Sequence, residues 1–268
     1  MSQGWVTTTD VRKFLAAAGD FLRADPVGNT LLLTEAAYPT AEERLFGWWG
    51  SPATGAFLRA PRHAPVLTPL PDDAWTPLAS VLPGVTGLGV DTRSLDQART
   101  TWPGLEEQVR ITISRLATPP PPPGKGARRA TLDDRDLLVR WYHELMAANP
   151  GDPSDLAYVV DFPLSYGGLT LWEVDGVPTA MAGRTPVIAG MTRVGATYAP
   201  DGRTDAVFAA ACAEAATVAT DVVLLTTAPG GKRGFEPVGS RSMLRAMTPE
   251  TPATPTRKPP PPGAPGSA

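Results

Sequence analysis

The chain has 268 residues, and 42% of them are hydrophobic, which is enough for a packed core in one large domain or two smaller ones. A formal net charge of −3 and the lack of a long basic run exclude an electrostatic case for nucleic-acid binding. The single cysteine, Cys212, excludes an internal disulfide bond, and together with two histidines it offers too few ligands for a zinc cluster, so no bound metal is expected.

The sequence contains no pattern typical of targeting or of a membrane span. Its first residues, MSQGWVTTTDVRK, lack the apolar run of a signal peptide. No apolar stretch approaches the roughly 20 residues that cross a bilayer. We therefore expect a cytoplasmic protein without a membrane partner.

Two proline-rich segments divide the chain. Residues 118–130 include five consecutive prolines, which favour an extended polyproline II rod. Residues 248–268 have almost no large apolar side chain and are predicted to be disordered. The predicted organisation is an N-terminal lobe (1–118), a linker (119–127), a C-terminal domain (128–248) and a tail (249–268).

The first half begins with a predicted helix, because apolar residues from Val11 to Ala18 recur at helical spacing after Thr9 or Asp10 as a cap. Three following stretches predict strands: NTLLLTEA, RLFGWWG and GAFLRAPRHAPVLTPL. Two helices, DDAWTPLASVL and RSLDQARTTW, then precede an alternating strand, EQVRITISRL.

The second half begins with Thr131 and Asp134, which resemble a capping box before a helix. A short helical piece leads to a hairpin that turns at Asp175-Gly176. The strand MTRVGATYAP, an alanine-rich helix and the strands TDVVLLTTA and GFEPVGSRSMLRAM follow. We expect both halves to share one α/β fold, each with a mixed central sheet and helices on both faces.

Most common site motifs are missing from the sequence, among them G-x-x-x-x-G-K-[ST], G-x-G-x-x-G, H-E-x-x-H and G-x-S-x-G. Cys212 lies within the alanine-rich helix and is interpreted as core packing. One candidate remains, in which a strand ends at Tyr198 and a polar turn leads into that helix. Such a helix N-terminus can bind an anion, because its backbone N–H groups are unpaired and the helix dipole is positive there.

The segments around this turn resemble a known family. Residues 167–200, GGLTLWEVDGVPTAMAGRTPVIAGMTRVGATYAP, resemble the central hairpin and fourth strand of a GNAT N-acetyltransferase of actinobacterial type. FLRADPVGNTLLL, LFGWWG and GAFLRAP resemble the N-terminal lobe of the same group, and RATLDDRDLLVRWYHEL resembles its first acetyltransferase helix. The resemblance extends from Phe14 to Met247 and implies two GNAT-like lobes.

The resemblance also implies a co-substrate and a site. In the family, a glycine-rich turn donates backbone N–H groups to the pyrophosphate of acetyl-CoA, and the pantetheine arm lies between the fourth and fifth strands. The matching positions imply a set of acetyl-CoA-binding residues: Thr197, Tyr198, Ala199, Arg203, Thr204, Asp205, Ala206, Val207, Thr226 and Thr227.

The turn departs from the family pattern. Thr204 stands where the family has its first loop glycine, and Asp205 stands where it has a basic residue. A carboxylate about 5 Å from a phosphate charge would repel it by roughly 3 kcal/mol at an effective dielectric near 20. Asp205 is also a good N-cap, so the alternative is a capped helix that holds no ligand.

A second departure follows the fifth strand. The family continues into a short helix that carries a tyrosine able to protonate the departing thiolate, whereas LLTTAPGGKRGFEPVG runs almost directly into the last strand. Two catalytic candidates remain. Glu173 could face the cleft as a base or lie on the other side of its strand, and Tyr198 could be a cleft hydroxyl or a packing residue.

The function implied by the resemblance is transfer of an acetyl group from acetyl-CoA to an amine. The acceptor is expected to be an amine-bearing small molecule or protein, and the sequence sets neither its identity nor the oligomeric state. The competing hypothesis is a catalytically impaired GNAT-fold protein that acts as a binding or regulatory module, which both departures favour.

Overall fold

The computed structural model describes residues 4–61, 63–228 and 232–246, which form one twelve-stranded sheet with helices packed against it. The elements of the first half are β1 (Trp5–Thr8), α1 (Val11–Ala24), α2 (Thr30–Ala37), β2 (Leu45–Trp49), β3 (Gly55–Arg59), β4 (Val66–Leu67), α3 (Asp72–Val81), β5 (Gly87–Asp91), α4 (Leu95–Thr101) and β6 (Leu105–Leu116). Those of the second half are β7 (Ala127–Arg129), α5 (Arg135–Ala148), α6 (Phe162–Ser165), β8 (Leu169–Val174), β9 (Val177–Arg184), β10 (Met191–Tyr198), α7 (Asp205–Val218), β11 (Asp221–Thr226) and β12 (Phe235–Ala246). The predicted tail lies outside the described residues.

The sheet is mixed, as the sequence predicts. Its strand order is β1-β2-β3-β4-β5-β12-β6-β11-β10-β9-β8-β7. The pairs β4–β5 and β10–β11 are parallel and the other neighbours are antiparallel. Each parallel pair is joined through a helix, α3 in the first half and α7 in the second, so the two halves repeat one strand-helix-strand arrangement.

The last strand of each half lies next to the other half. Strand β12 pairs with β5, and β6 pairs with β11. The two exchanged strands also pair with each other from Phe235↔Leu116 to Ala246↔Leu105. The sheet is therefore continuous across the middle of the molecule, with each half completed by a strand from the other.

Helices cover both faces of the sheet in each half. In the first half, Phe57 packs with the α3 residue Trp75, whereas its neighbour Leu58 packs with the α1 residue Phe14 on the opposite face. In the second half, Met181 packs with α5 and Ala182 packs with α7. Successive strand side chains point to opposite faces, so this alternation gives each half two apolar cores.

Several predicted local features are confirmed. The carboxylate of Asp10 accepts hydrogen bonds from the backbone N–H of Arg12 and Lys13 and caps α1. Thr131 and Asp134 form the expected capping box before α5. Asp175 and Gly176, with φ angles of 52° and 76°, make the tight turn between β8 and β9.

The prediction of a strand for NTLLLTEA is wrong, because this segment forms α2. A short run of buried leucines cannot be assigned to a strand or a buried helix by its spacing alone. In α2 the residues Thr30, Leu32, Leu33, Thr34 and Ala36 are all buried, so the helix has no polar stripe to reveal its period. Three short strands, β1, β5 and β7, were not predicted at all; β7 lies at the end of the proline-rich connector.

The two parallel pairs end differently. In the first half the carbonyl oxygen of Leu67, at the end of β4, accepts a 2.7 Å hydrogen bond from Arg241 Nη1. Arg241 is 2% exposed, and this burial lowers its pKa to about 10. The guanidinium thus occupies the place where β4 and β5 stop pairing.

None of the helices in the described parts of the chain combines the length and apolar character needed to cross a bilayer.

Candidate functional site

Strands β10 and β11 diverge halfway along their length. They pair from Met191↔Asp221 to Arg193↔Val223 and no further, while β11 continues to pair with β6 up to Thr226. On its other side β10 carries a bulge between Gly195 and Tyr198. The divergence leaves backbone groups of β10 beyond Arg193 without a partner on β11.

The bulge holds Ala196 at a φ of 47°, in the left-handed region. A non-glycine residue in this conformation costs about 1–2 kcal/mol. Such backbone strain is concentrated at functional sites, where the surrounding structure maintains it. The strained residue lies beside the point at which the two strands open.

The predicted turn leads from this opening into α7. Gly202 has a φ of 75°, and Arg203 forms an ion pair with Asp201 at 2.8 Å. Helix α7 begins at Asp205 with Thr204 as its N-cap, and the Thr204 side chain makes no capping hydrogen bond. Within the described part of the chain, no acceptor is bonded to the first backbone N–H groups of this helix. These N–H groups are the donors that an anion would need.

The structure corrects the expectation that Asp205 caps the helix and fills the anion site itself. Its carboxylate points into solvent and forms a 2.8 Å ion pair with Lys232 Nζ, which also lies 5.1 Å from the centre of the Phe208 ring. The hydrogen bond from Lys232 lowers the pKa of Asp205. The carboxylate is thus paired with Lys232, which lies 27 positions later in the sequence.

Tyr198 lies at the end of β10, where its ring packs against α5 and its hydroxyl bonds a carboxylate. Its ring packs at 6.3 Å from that of Trp141 on α5. Its hydroxyl donates a 2.5 Å hydrogen bond to Glu144 Oε2, and this bond raises the pKa of Tyr198. Glu144 was missed in the sequence because it lies 54 positions earlier, on a different element.

Glu173 lies away from this opening. Its carboxylate accepts a 2.6 Å hydrogen bond from Arg128 Nε, and the same guanidinium forms two further hydrogen bonds with Asp134. This cluster joins β7, β8 and the start of α5. The structure therefore puts Glu173 in a structural ion-pair cluster and brings Tyr198 alone of the two catalytic candidates to the opening.

The other predicted acetyl-CoA-binding residues lie along one path. Thr197 and Tyr198 form the end of β10, Ala199 directly follows it, and Arg203 to Val207 form the turn and first residues of α7. Ala199 and Val207 are buried in the same apolar core. Thr226 ends β11 on the far side of the divergence, and its hydroxyl accepts from the backbone N–H of Ala228. Thr227 directly follows β11.

Burial raises the pKa of the Cys212 thiol to about 12, in agreement with a core role.

A cavity of about 390 Å³ opens between β9, β10 and the helical segments that follow α5. It is bounded by the bulge residues Gly195 and Ala196 and by Thr197. A second cavity, of about 660 Å³, lies between the two halves and shares four lining residues with the first: Asp152, Ser154, Tyr158 and Arg193. The opening between β10 and β11 thus adjoins a space of the size of small-molecule sites.

No protein-family model and no curated protein matches the sequence. The structure is similar to a GNAT-family acetyltransferase from Colwellia psychrerythraea, with a TM-score of 0.56 and 12% identity over 91% of this chain and 99% of that one. A tandem GNAT protein from the clavulanic acid biosynthesis pathway gives a TM-score of 0.53 and 12% identity over 91% and 98%. A GCN5-related N-acetyltransferase from Kribbella flavida gives a TM-score of 0.50 and 16% identity over 72% of this chain and 86% of that one. The chain therefore has the two-lobed fold of the GNAT N-acetyltransferases, as its sequence predicts.

Proposed function

We propose that the second half binds acetyl-CoA and transfers its acetyl group to an amine. The observation that carries this proposal is the divergence of β10 and β11 beside the bulge at Ala196, which leads on one side to the first turn of α7 and on the other to the cavity. The GNAT-like relatives support acetyl transfer as the class of reaction, and the acceptor and the use of acetyl-CoA are the parts proposed here.

Acetyl-CoA supplies a thioester from which an amine can take the acetyl group. The backbone of β10 beyond Arg193 offers N–H and C=O groups to an extended ligand lying in the gap, because β11 does not use them. The first N–H groups of α7 would hold the pyrophosphate, with Lys232 nearby as a cation. Asp205 does not prevent this arrangement, since its charge is paired.

Proton transfer would fall to Tyr198. No tyrosine follows it in the chain, so the tyrosine expected after the fifth strand has no equivalent there. The Tyr198 phenol is protonated at neutral pH, as a proton donor must be, and its hydrogen bond to Glu144 raises its pKa further. In this transfer the amine nitrogen bonds the acetyl carbon and the C–S bond breaks. The departing thiolate takes the tyrosine proton, the amine proton passes to water, and water returns a proton to the tyrosinate.

The proposal is tested by titration calorimetry of the purified chain with acetyl-CoA and by thiol release in the presence of amines. Ala206→Asp places a second carboxylate at the exposed start of α7 and should weaken acetyl-CoA binding about 10-fold or more. Thr217→Asp adds the same charge at the far end of the same helix and should leave the dissociation constant within about 2-fold, because the effect of a helix terminus is confined to its own turn. Equal effects of both variants, or no binding by the native chain, would refute the proposal.

A further inference from the structure

Two arginines line the cavity beside the opening without a carboxylate partner. Arg184 is the last residue of β9 and pairs with Val194 on β10. Arg193 directly precedes Val194, so the two arginines lie on neighbouring strands beside the cavity. Within the described parts of the chain neither guanidinium takes part in an ion pair. Most other arginines of the fold do, so this pair is not simply part of a charged surface.

The hydrogen bonding of Arg193 is incomplete. Nη2 donates a 2.8 Å hydrogen bond to the Tyr158 hydroxyl, whereas Nη1 is buried and has no partner. A buried N–H group of a charged side chain without an acceptor is costly and uncommon. The unsatisfied N–H group thus belongs to a side chain that lines both cavities.

Arg184 is held weakly as well. Its guanidinium lies 5.8 Å from the centre of the Tyr166 ring and makes only 3.4 Å hydrogen bonds to the backbone oxygens of Gly167 and Thr185. Burial raises the pKa of the Tyr166 hydroxyl, and both Arg184 and Arg193 are close enough to oppose that shift. The two guanidiniums therefore act on the same part of the cavity.

One carboxylate, that of Asp152, belongs to the lining of this cavity, and its Oδ1 accepts from the backbone N–H of Ser154. The lining therefore has two positive groups and one negative group. Glu35, in the adjoining cavity, also interacts with the Tyr158 hydroxyl, so the lack that matters at Arg193 is a hydrogen-bond acceptor for Nη1. An anionic group on the ligand would supply that acceptor. A carboxylate suits a guanidinium because two parallel N–H groups can donate to its two oxygens.

We infer that the acceptor is an amine that also carries a carboxylate, of the amino-acid class, and that Arg193 and Arg184 bind its carboxylate. This inference rests on the proposed function. Arg193 is two residues from Gly195 on β10, or about 7 Å along the strand. A carboxylate bound at Arg193 would thus place the amine of an amino-acid-sized molecule near the bulge, where the acetyl group is proposed to lie.

The test compares L-amino acids with their carboxamides as acceptors. Six pairs, of alanine, leucine, phenylalanine, lysine, glutamate and serine, are assayed by thiol release with acetyl-CoA. We expect at least one amino acid to have a kcat/KM about 10- to 100-fold above that of its carboxamide, as for loss of a hydrogen bond to a charged group. Arg193→Gln should remove this preference mainly through KM, and Arg184→Gln should reduce it.

Arg140→Gln is the matched control, since this arginine is exposed on α5 and bonds only the backbone oxygen of Asp136. Melting temperatures of the three variants exclude loss of folding, and Arg193→Lys provides a milder change if Arg193→Gln unfolds. Carboxamides that react as well as the acids in every reacting pair would overturn the inference. So would a preference that survives in both arginine variants.

The failure of this inference can be distinguished from that of the proposed function. A chain that binds acetyl-CoA and acetylates amines without regard to the carboxylate overturns the inference alone. If acetyl-CoA does not bind, calorimetry with the N-acetyl amino acids and their carboxamides still decides the inference. Binding of an N-acetyl amino acid in preference to its carboxamide, lost in Arg193→Gln, supports the inference, and absence of such binding refutes it.

Discussion

The hydroxyl of Tyr198 is held by a carboxylate rather than by a neutral acceptor, and this contact raises its pKa. Removing the hydroxyl with Tyr198→Phe should lower kcat about 100-fold, as for loss of a general acid, with little change in the KM for acetyl-CoA. Tyr142→Phe is the control, because this hydroxyl bonds only the backbone oxygen of Ser154. Equal rates for Tyr198→Phe and the native chain would assign the residue to packing alone.

Glu144→Gln tests the same contact by its pH dependence. The carboxylate raises the pKa of Tyr198 above its ordinary value of 10.0, so the amide should let this pKa fall back toward that value. The alkaline fall in kcat/KM should then begin at a lower pH. Ultraviolet titration of tyrosinate, with Tyr198→Phe subtracted, measures the shift directly, and an unchanged titration would contradict it.

The ion pair between Asp205 and Lys232 should control affinity for acetyl-CoA. Asp205→Asn leaves Lys232 free to attract the pyrophosphate and should lower the dissociation constant about 3- to 10-fold at low salt. Lys232→Gln leaves the carboxylate unpaired and should raise it by a similar factor. High salt should reduce both effects, since both groups are near the surface.

Asp161→Asn, which breaks the exposed Arg135–Asp161 pair on another surface, serves as the control for this prediction. If neither Asp205→Asn nor Lys232→Gln changed affinity beyond about 2-fold, the pyrophosphate would lie elsewhere.

At the residue scale the sequence indicated candidate positions for the site but not the residues that contact them. Tyr198 and the turn up to Asp205 follow from a local pattern, because consecutive residues carry it. Lys232 is 27 positions from Asp205, and Glu144 is 54 positions from Tyr198. Contacts over such separations depend on the packing of elements, so a single sequence gives no signal for them.

Among the secondary-structure elements, the start of α5 is tied to β7 and β8 by one arginine. Arg128 donates two hydrogen bonds to Asp134 and one to Glu173, and its bond to Asp134 lowers the pKa of that carboxyl from 3.8 to about 2. The carboxylate form is therefore favoured by folding. Its contribution is present above the unfolded-state pKa and is lost as the pH falls toward 2.

Asp134→Asn should lower the free energy of unfolding by about 1–2 kcal/mol at pH 7, a value reduced because Arg128 is partly exposed. The difference from the native chain should stay constant down to about pH 5, begin to shrink near pH 4 and vanish as the pH approaches 2. Urea unfolding at several pH values measures it, with the exposed neighbour Asp133→Asn as the control. A difference that persists at low pH would point to lost packing instead.

Elements with a clear period or a cap were predicted well, whereas short apolar ones were not. The Asp10 cap identified α1, and the Asp175-Gly176 turn identified the β8–β9 hairpin. Strand β5 was missed because its sequence, GLGVD, combines two glycines with little alternation. The position of β12 between β5 and β6 was not predictable either, because strand order depends on long-range pairing.

In the molecule as a whole, the two halves should differ in binding, and we predict one acetyl-CoA per chain. The first half has the equivalent of the β10-α7-β11 unit, but Arg241 bonds the carbonyl oxygen of Leu67 at the end of β4. Its helix α3 begins with two acidic residues, Asp72 and Asp73, where a pyrophosphate would have to bind. Both features disfavour an anionic ligand in a gap between these strands.

A cavity of about 490 Å³ does adjoin Arg241, yet it is lined by aspartates as well as arginines, including the ion pair of Arg93 with Asp91. Calorimetry should therefore give a stoichiometry of one, and Ala206→Asp should weaken all of the observed binding. A stoichiometry of two would show that the first half also holds the ligand.

The exchanged strands predict that neither half folds alone. Residues 1–118 lack β12 and would expose the edge of β5, whereas residues 119–268 lack β6 and would expose the edge of β11. An unpaired central edge favours aggregation. We expect each fragment to be insoluble and the two together to form a soluble complex. The control is a chain cleaved at Gly124 within the connector, which should stay folded, and a soluble, cooperatively folded single half would contradict the prediction.

The exchange also affects the order of folding during synthesis. Domains of most proteins fold as they leave the ribosome, beginning with the N-terminal one. Here β5 pairs with β4 but lacks its second neighbour until β12, the last strand in the sequence, has been translated, although every other element of the first half is already available. The first half must therefore wait, with an open strand edge, for nearly the whole time that the second half is being made. A chain released early by a stop codon before residue 235 would keep that edge and become a natural target for chaperones and proteases.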